Sequence, residues 1–177
     1  MRDFNGVQIS TLRRTDERAR SLCYIRSMNI RWSITDWKDL DKEALYAIFA
    51  LRIDVFVIEQ NCPYQDADGK DLKSLHVCGY DENHELVAYA RLVKPGVSYT
   101  EWSIGRVVTS SRVRRSGAGM ELMNTCMQFF HQQDINEVRI SAQSYLQEFY
   151  SRFGFVQVSE EYLEDNIPHM EMLFKKP

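Results

Sequence analysis

The sequence contains no apolar run approaching the roughly 20 residues that a membrane-spanning helix needs, so no membrane partner is expected. Neither sign of charge dominates: 22 basic side chains meet 25 acidic ones, for a net charge of −3. Without a basic field, nucleic acid is not expected as the main partner. Cysteine is sparse. Cys23, Cys62, Cys78 and Cys126 lie far apart, with no C-x-x-C and no histidine at ligand spacing. That pattern speaks against a disulfide framework and a zinc site; no metal is expected, and reduced thiols point to the cytoplasm. Repeats and low-complexity tracts are absent too. The 177 residues suffice for one domain with a real core and not comfortably for two.

The expected organisation is a tail, 1–27, followed by one domain, 28–177. In the tail six arginines meet three acids, and its apolar residues hold no period. It has no apolar segment of the secretory type and reads as disordered or as an over-extended start, with Met28 an alternative beginning.

Ile30, Trp32 and Ile34 alternate as in a strand. Asp41 then stands where it can cap a helix whose apolar stripe is Leu45, Ile48, Phe49, Val55 and Phe56. Arg52 falls inside that stripe and must be paired or face a cavity, either as part of an internal ion pair or as a lining of a substrate pocket. A long polar loop follows, from Val57 to Gly69. Its Asp66, Asp68 and Asp71 do not make a calcium loop, because Asp71 and Val77 occupy the positions that require Gly and Glu. A loop with carboxylates facing an amine substrate fits better.

Ser74–Tyr80 and Leu86–Val93 are expected strands joined by a turn at 81–85. The second is apolar on both faces, as a central strand covered by helices on both sides would be. Ile104–Thr109 is the next strand. Arg91 and Arg106, like Arg52, interrupt apolar elements, and the three together point to one internal polar network.

That strand runs into Arg114-Arg115-Ser116-Gly117-Ala118-Gly119 and then into a helical run through Leu122, Met123, Cys126, Met127 and Phe130. A strand feeding a glycine turn and a helix leaves the first helical N–H groups without partners, which suits an anion. No Gly-Lys-Ser/Thr follows, and Leu122 stands where a dinucleotide fingerprint needs its third glycine. After the helix come an expected strand at 138–142, a helix at 145–153 ended by Gly154, a strand at 155–158, an acidic turn holding Glu160, Glu161, Glu164 and Asp165, and a last strand in which Met170, Met172 and Phe174 alternate. His169, on the other face of that strand, reads as structural rather than catalytic.

This order of elements, with R-x-x-G-x-G at its hinge and Phe149-Tyr150-Ser151-Arg152-Phe153-Gly154-Phe155 beyond it, resembles the GNAT acyl-CoA N-acyltransferases over about residues 30–174. The phrases Glu59-Gln60-Asn61-Cys62-Pro63-Tyr64-Gln65-Asp66, Val87-Ala88-Tyr89-Ala90-Arg91-Leu92 and Ile104-Gly105-Arg106-Val107 resemble the ElaA-like branch of that superfamily. The resemblance implies an α/β (α+β) fold with a mixed, splayed central sheet flanked by helices, and acetyl-CoA as co-substrate beside the strand ending at Thr109. It implies pantetheine along Val107, Val108 and Thr109, with an N–H of Val107 or Val108 meeting the thioester oxygen. It also implies pyrophosphate on Arg114, Arg115, Ser116, Gly117, Ala118, Gly119 and Met120, and a hydrogen bond from Gln143 to the pantetheine arm. Tyr150 stands at the position of the family's general acid.

The implied reaction moves an acetyl group to a primary amine by direct attack in a ternary complex. An amine must lose a proton before it attacks, an oxyanion needs N–H donors, and a departing thiolate can take a proton from a phenol. The strand before the glycine loop carries no acid, so the base is left among Glu59, Asp66, His76 and a water relay. Arg52 and Asp66 are candidates for the acceptor pocket. The partner is an amine, on a small molecule or a protein, and a homodimer is compatible with the reading. Two alternatives stay open: a relative of the acyl-homoserine-lactone synthases, and a non-catalytic acyl-CoA sensor.

Overall fold

The structure, a computed structural model, describes residues 29–176, so the expected tail at 1–27 and Met28 lie outside the described residues. Its centre is a strand buried along its whole length, Leu86–Val93 (β3). Before it come β1 (Arg31–Asp36), α1 (Lys42–Arg52) and β2 (Ser74–Tyr80). After it come β4 (Trp102–Thr109), α2 (Ala118–Gln132), β5 (Glu137–Gln143), α3 (Gln147–Ser151), β6 (Val156–Gln157), β7 (Tyr162–Glu164) and β8 (Ile167–Lys175). Both faces of β3 are covered, as its unbroken apolar run implies. Ala88, Ala90 and Leu92 share a cluster with Leu122, Met123 and Cys126 of α2, whereas Tyr89 joins Ile48 and Leu51 of α1.

The eight strands make one sheet in the order β1-β2-β3-β4-β5-β8-β6, with β7 beside β8. Every pairing is antiparallel except β4 with β5. That one parallel contact is short. Trp102 faces Val138 and Ser103 faces Arg139, after which the two strands part. A sheet that splits in its middle leaves the β5-facing edge of residues 104–109 without a strand partner, and this is the splay that the resemblance implies. On its other edge β4 carries a bulge: Tyr89 pairs with Val108 and Arg91 with Gly105, so Ala90 stands opposite two residues. Arg106, one of the two, takes φ +54°, a conformation uncommon outside glycine.

Asp41 caps α1 as expected, accepting a 2.6 Å hydrogen bond from the Ala44 N–H. The coil does not stop at Val57, where the loop was expected. It continues through Ile53–Glu59 in wider turns, with N–H groups reaching five residues back from Gln60 to Val55 and from Cys62 to Val57. The widening keeps Val55 on the core face while Ile58 points outward. The C-terminal part also differs. The expected helix at 145–153 is a tight turn at Ser144–Leu146 followed by the short α3. The acidic turn contains β7, joined to β8 through Asp165 and Asn166, both at positive φ. Two such residues in sequence form the reversed turn that suits a hairpin, so Asp-Asn was a strand signal within an acidic stretch.

Candidate functional site

The parting of β4 from β5 opens a cleft of about 520 Å³. It is lined by Ser103–Val107 of β4 and, across the split, by Ile140, Ser141 and Gln143 of β5, together with Leu146 and Tyr150. The two faces of the sheet differ sharply here. On the face packed by α2 and α3, β5 and β8 present Ile140, Ala142, Met170 and Met172, all in the main core. On the opposite face they present Arg139, Ser141, Gln143, His169 and Glu171. A cleft through the sheet therefore joins an apolar side to a polar one.

Tyr150 lies at the apolar end. Its ring sits against Phe149 and Phe155, it is almost completely buried, and it still borders the cleft. Burial pushes its phenol well above the usual range, so it carries its proton at any working pH.

The glycine loop lies beyond the end of β4. Arg115 and Gly117 take φ +63° and +96°, which turns the chain sharply into α2. Helix α2 then begins at Ala118 with its first N–H groups free of intrahelical partners. A Cβ built on Gly119 would touch the ring of Phe149 at 3.8 Å, an ordinary contact. Arg114 extends from this loop but is held in place. It grips both carboxylate oxygens of Glu59, at 2.5 and 2.8 Å, and donates to the Thr109 carbonyl at 3.3 Å. On the far side of the loop, Tyr145 donates to the Gln143 side-chain oxygen.

On the polar face the three arginines and three aspartates singled out in the sequence form one network. Arg52 donates to Asp71 at 2.8 Å and to the Asp66 carbonyl at 2.9 Å, with its Nε 2.8 Å from Asp66 Oδ2. Arg91 grips Asp68 through two bonds of 2.7 Å and also reaches Asp71. Arg106 donates to Asp66 at 2.8 Å, which ties down its positive-φ backbone and hence the bulge. Burial alone would raise the Asp68 pKa, but the Arg91 hydrogen bonds outweigh it and hold the group at about 2.

These contacts correct several expectations. Arg52 is fully buried and does not line the cleft; it is a structural ion-pair member, not a pocket group. Asp66 of the polar loop is likewise buried and occupied by Arg52 and Arg106, and it does not line the cleft. The side chains of that loop that do reach the cleft include Tyr64 and Gln65. His76 sits in the interior with no exposed surface. Its Nδ1 accepts from the Tyr89 hydroxyl at 2.8 Å, its Nε2–H donates to the Asp71 carbonyl, and burial lowers its pKa. An imidazole so enclosed has no route to an amine. Glu59 is exposed, but Arg114 keeps its carboxyl below the usual range, which weakens it as a base.

Cleft groups not singled out as site residues include Ser141, Tyr99, Glu164 and His169. For His169 the signal was present in the alternation of β8, whose polar residues fall on the face opposite Met170 and Met172. Glu164 escaped because β7 was read as part of a solvated turn.

Among the described residues no group of His, Cys, Asp and Glu could hold a metal ion, and no helix is long and apolar enough to cross a membrane. Cys62, Cys78 and Cys126 carry free thiols.

Comparison with known proteins decides the family. Residues 50–176 match the model of the acetyltransferase (GNAT) domain. The chain belongs to the GNAT acetyltransferase family. Within that family it is 43% identical to the protein ElaA of Escherichia coli over 146 residues, 81% of this chain and 95% of that one. A UPF0039 protein of Synechocystis is 44% identical over 151 residues, covering 85% of this chain and 98% of that one. The crystal structures of E. coli ElaA and of an acyl-CoA N-acyltransferase from Pseudomonas aeruginosa each superpose with a TM-score of 0.77 at 42% identity. Each alignment covers 82% of this chain and 99% of the other. The GNAT chain is thus ElaA-like and has the mixed, open sheet of the acyl-CoA N-acyltransferases. Its fold is one that binds acyl-CoA, and the split between β4 and β5 fits such a substrate because it leaves one β4 edge unpaired.

Proposed function

We propose that this chain is an acetyl-CoA-dependent N-acetyltransferase that moves an acetyl group to a primary amine within a ternary complex. The observation that carries this reading is the phenol of Tyr150, kept protonated at the apolar end of a cleft that opens between β4 and β5. In this reading the pantetheine arm lies along Val107, Val108 and Thr109, with Gln143 across the split. The pyrophosphate rests on Arg114–Met120, where the free N–H groups of α2 favour negative charge. The amine nitrogen attacks the thioester carbon and a C–N bond forms. The oxyanion is met by an N–H of Val107 or Val108, at the bulge that Arg106 and Asp66 stabilise. As the C–S bond breaks, Tyr150 gives its proton to the departing sulfur. The free thiols are in keeping with a reducing compartment such as the cytoplasm.

The test is incubation with acetyl-CoA and a panel of amines: an alkyl diamine, a lysine peptide and a peptide with a free N-terminus. Free CoA thiol and a one-acetyl mass gain on an amine are expected. Tight CoA binding without thiol release or acetylated product would favour a sensor and overturn the reading.

A further inference from the structure

We propose that His169 is the general base of this site, taking the proton from the attacking amine through its Nε2. The inference rests on the acetyltransferase reading above. His169 Nδ1 lies 2.8 Å from the carbonyl oxygen of Ile167. A carbonyl can only accept, so Nδ1 carries the hydrogen and the neutral ring presents Nε2 as a bare acceptor. Tyr162 stacks on the imidazole at 6.3 Å between centroids and 26° between planes, which holds the ring's orientation. The ring is half-buried and borders the cleft.

Its position on the sheet agrees. His169 stands directly opposite Gln143 in the β5–β8 register, on the polar face. Tyr150 approaches from the other face, with α3 and the apolar core. A proton donor for the departing sulfur and a proton acceptor for the entering nitrogen then border one cleft from opposite faces of the sheet. In acyl transfer the amine adds to the carbonyl carbon and the sulfur leaves from the tetrahedral adduct, so the base serves the nitrogen and the acid serves the sulfur, two different atoms that separate groups can reach.

The rival bases are weaker. Asp68 is locked by Arg91 and Arg106 and held at about 2. Glu164 borders the cleft, but its carboxylate is engaged by the Ser141 hydroxyl at 3.0 Å. The groups around His169 are accounted for on each element. Tyr162 stacks on it from β7 and Gln143 stands opposite on β5, while Glu164 of β7 and Asp165 of the following turn line the same cleft. On β8 itself, Glu171 is engaged by Arg139 at 2.7 Å.

The test compares His169→Gln with the wild-type enzyme on two kinds of acceptor at saturating acetyl-CoA. Alkyl amines, protonated at neutral pH, need a base; hydroxylamine, already neutral there, does not. The variant should lose about 10²–10⁴-fold in kcat on the alkyl amine and retain most of its rate on hydroxylamine, with unchanged CoA affinity and melting temperature. Equal loss on both acceptors, or no loss on either, overturns the role of His169 while leaving the acetyltransferase reading intact. A wild-type protein that acetylates no amine overturns both. Nitrogen-15 imidazole spectra give a readout independent of turnover: Nδ1–H with a bare Nε2 is expected, and the opposite tautomer overturns the proposal even in an active enzyme.

Discussion

Arg52 and Asp71 meet at 2.8 Å in the interior, and the same aspartate oxygen takes a second hydrogen bond from Arg91 at 3.0 Å. One carboxylate thus joins α1, which carries Arg52, to the central strand, which carries Arg91. Replacing Arg52 by Met leaves Asp71 and Asp66 short of a cation in a buried setting. Loss of one partner of such a pair costs about 3–5 kcal/mol, so Arg52→Met is expected to lower the melting temperature steeply. An unchanged melting curve would show that packing replaces the pair.

Glu59 holds Arg114 through both carboxylate oxygens at the mouth of the glycine loop. A phosphate arriving there must compete with that carboxylate. Exposed pairs are worth about 0.2–1 kcal/mol, so Glu59→Gln should tighten CoA binding by roughly 1.4- to 5-fold and leave kcat in place. A large fall in kcat would return Glu59 to the role of base.

Gly119→Asp tests the loop itself. The added Cβ meets Phe149 at an ordinary distance, so the fold is expected to persist. The new carboxylate stands among the first N–H groups of α2 and opposes the pyrophosphate. Calorimetry should show CoA affinity reduced about ten-fold or more, equivalent to ~1.4 kcal/mol. Unchanged affinity in a folded variant contradicts the loop's assignment.

Tyr150→Phe removes one hydroxyl and keeps the ring between Phe149 and Phe155. A general acid contributes about 10²–10⁴-fold, so kcat should fall within that range while CoA affinity stays constant. Full activity in the variant would make Tyr150 a packed aromatic and nothing more.

His76 makes a prediction about pH. Burial lowers its folded-state pKa below the unfolded value of about 6.5. Below that unfolded value the unfolded chain binds a proton that the native one refuses, so this contribution to stability is present at pH 7 and declines as pH falls below ~6.5. Denaturation midpoints at pH 7 and pH 5 should differ less in His76→Gln than in the wild type. An identical difference in both would assign the acid sensitivity elsewhere.

Much of the framework was legible in local pattern. Strands 74–80 and 86–93 follow from side-chain alternation and an unbroken apolar run, and they appear with those bounds. Asp41 announces the start of α1, and the glycine pair announces the turn into α2. Each of these is set by a few neighbouring residues, through backbone freedom, capping or periodicity. The wider turns after Arg52 were not legible, because an α-helix and its widened form share nearly the same apolar spacing.

What the sequence determined by itself was the class of fold, the central strand, the glycine loop and the existence of a polar network around Arg52, Arg91 and Arg106. The tertiary structure alone decided the partners. Arg106 reaches Asp66 across 40 positions and Arg91 reaches Asp68 across 23, so the loop aspartates are engaged in ion pairs. It also set the surroundings of the two histidines. His76 and His169 both sit in alternating strands, yet one is sealed beneath Tyr89 and Asp71 while the other borders the opening between β4 and β5. The reason is that alternation tells on which face a side chain stands, and strand order and the splay of the sheet tell what covers that face.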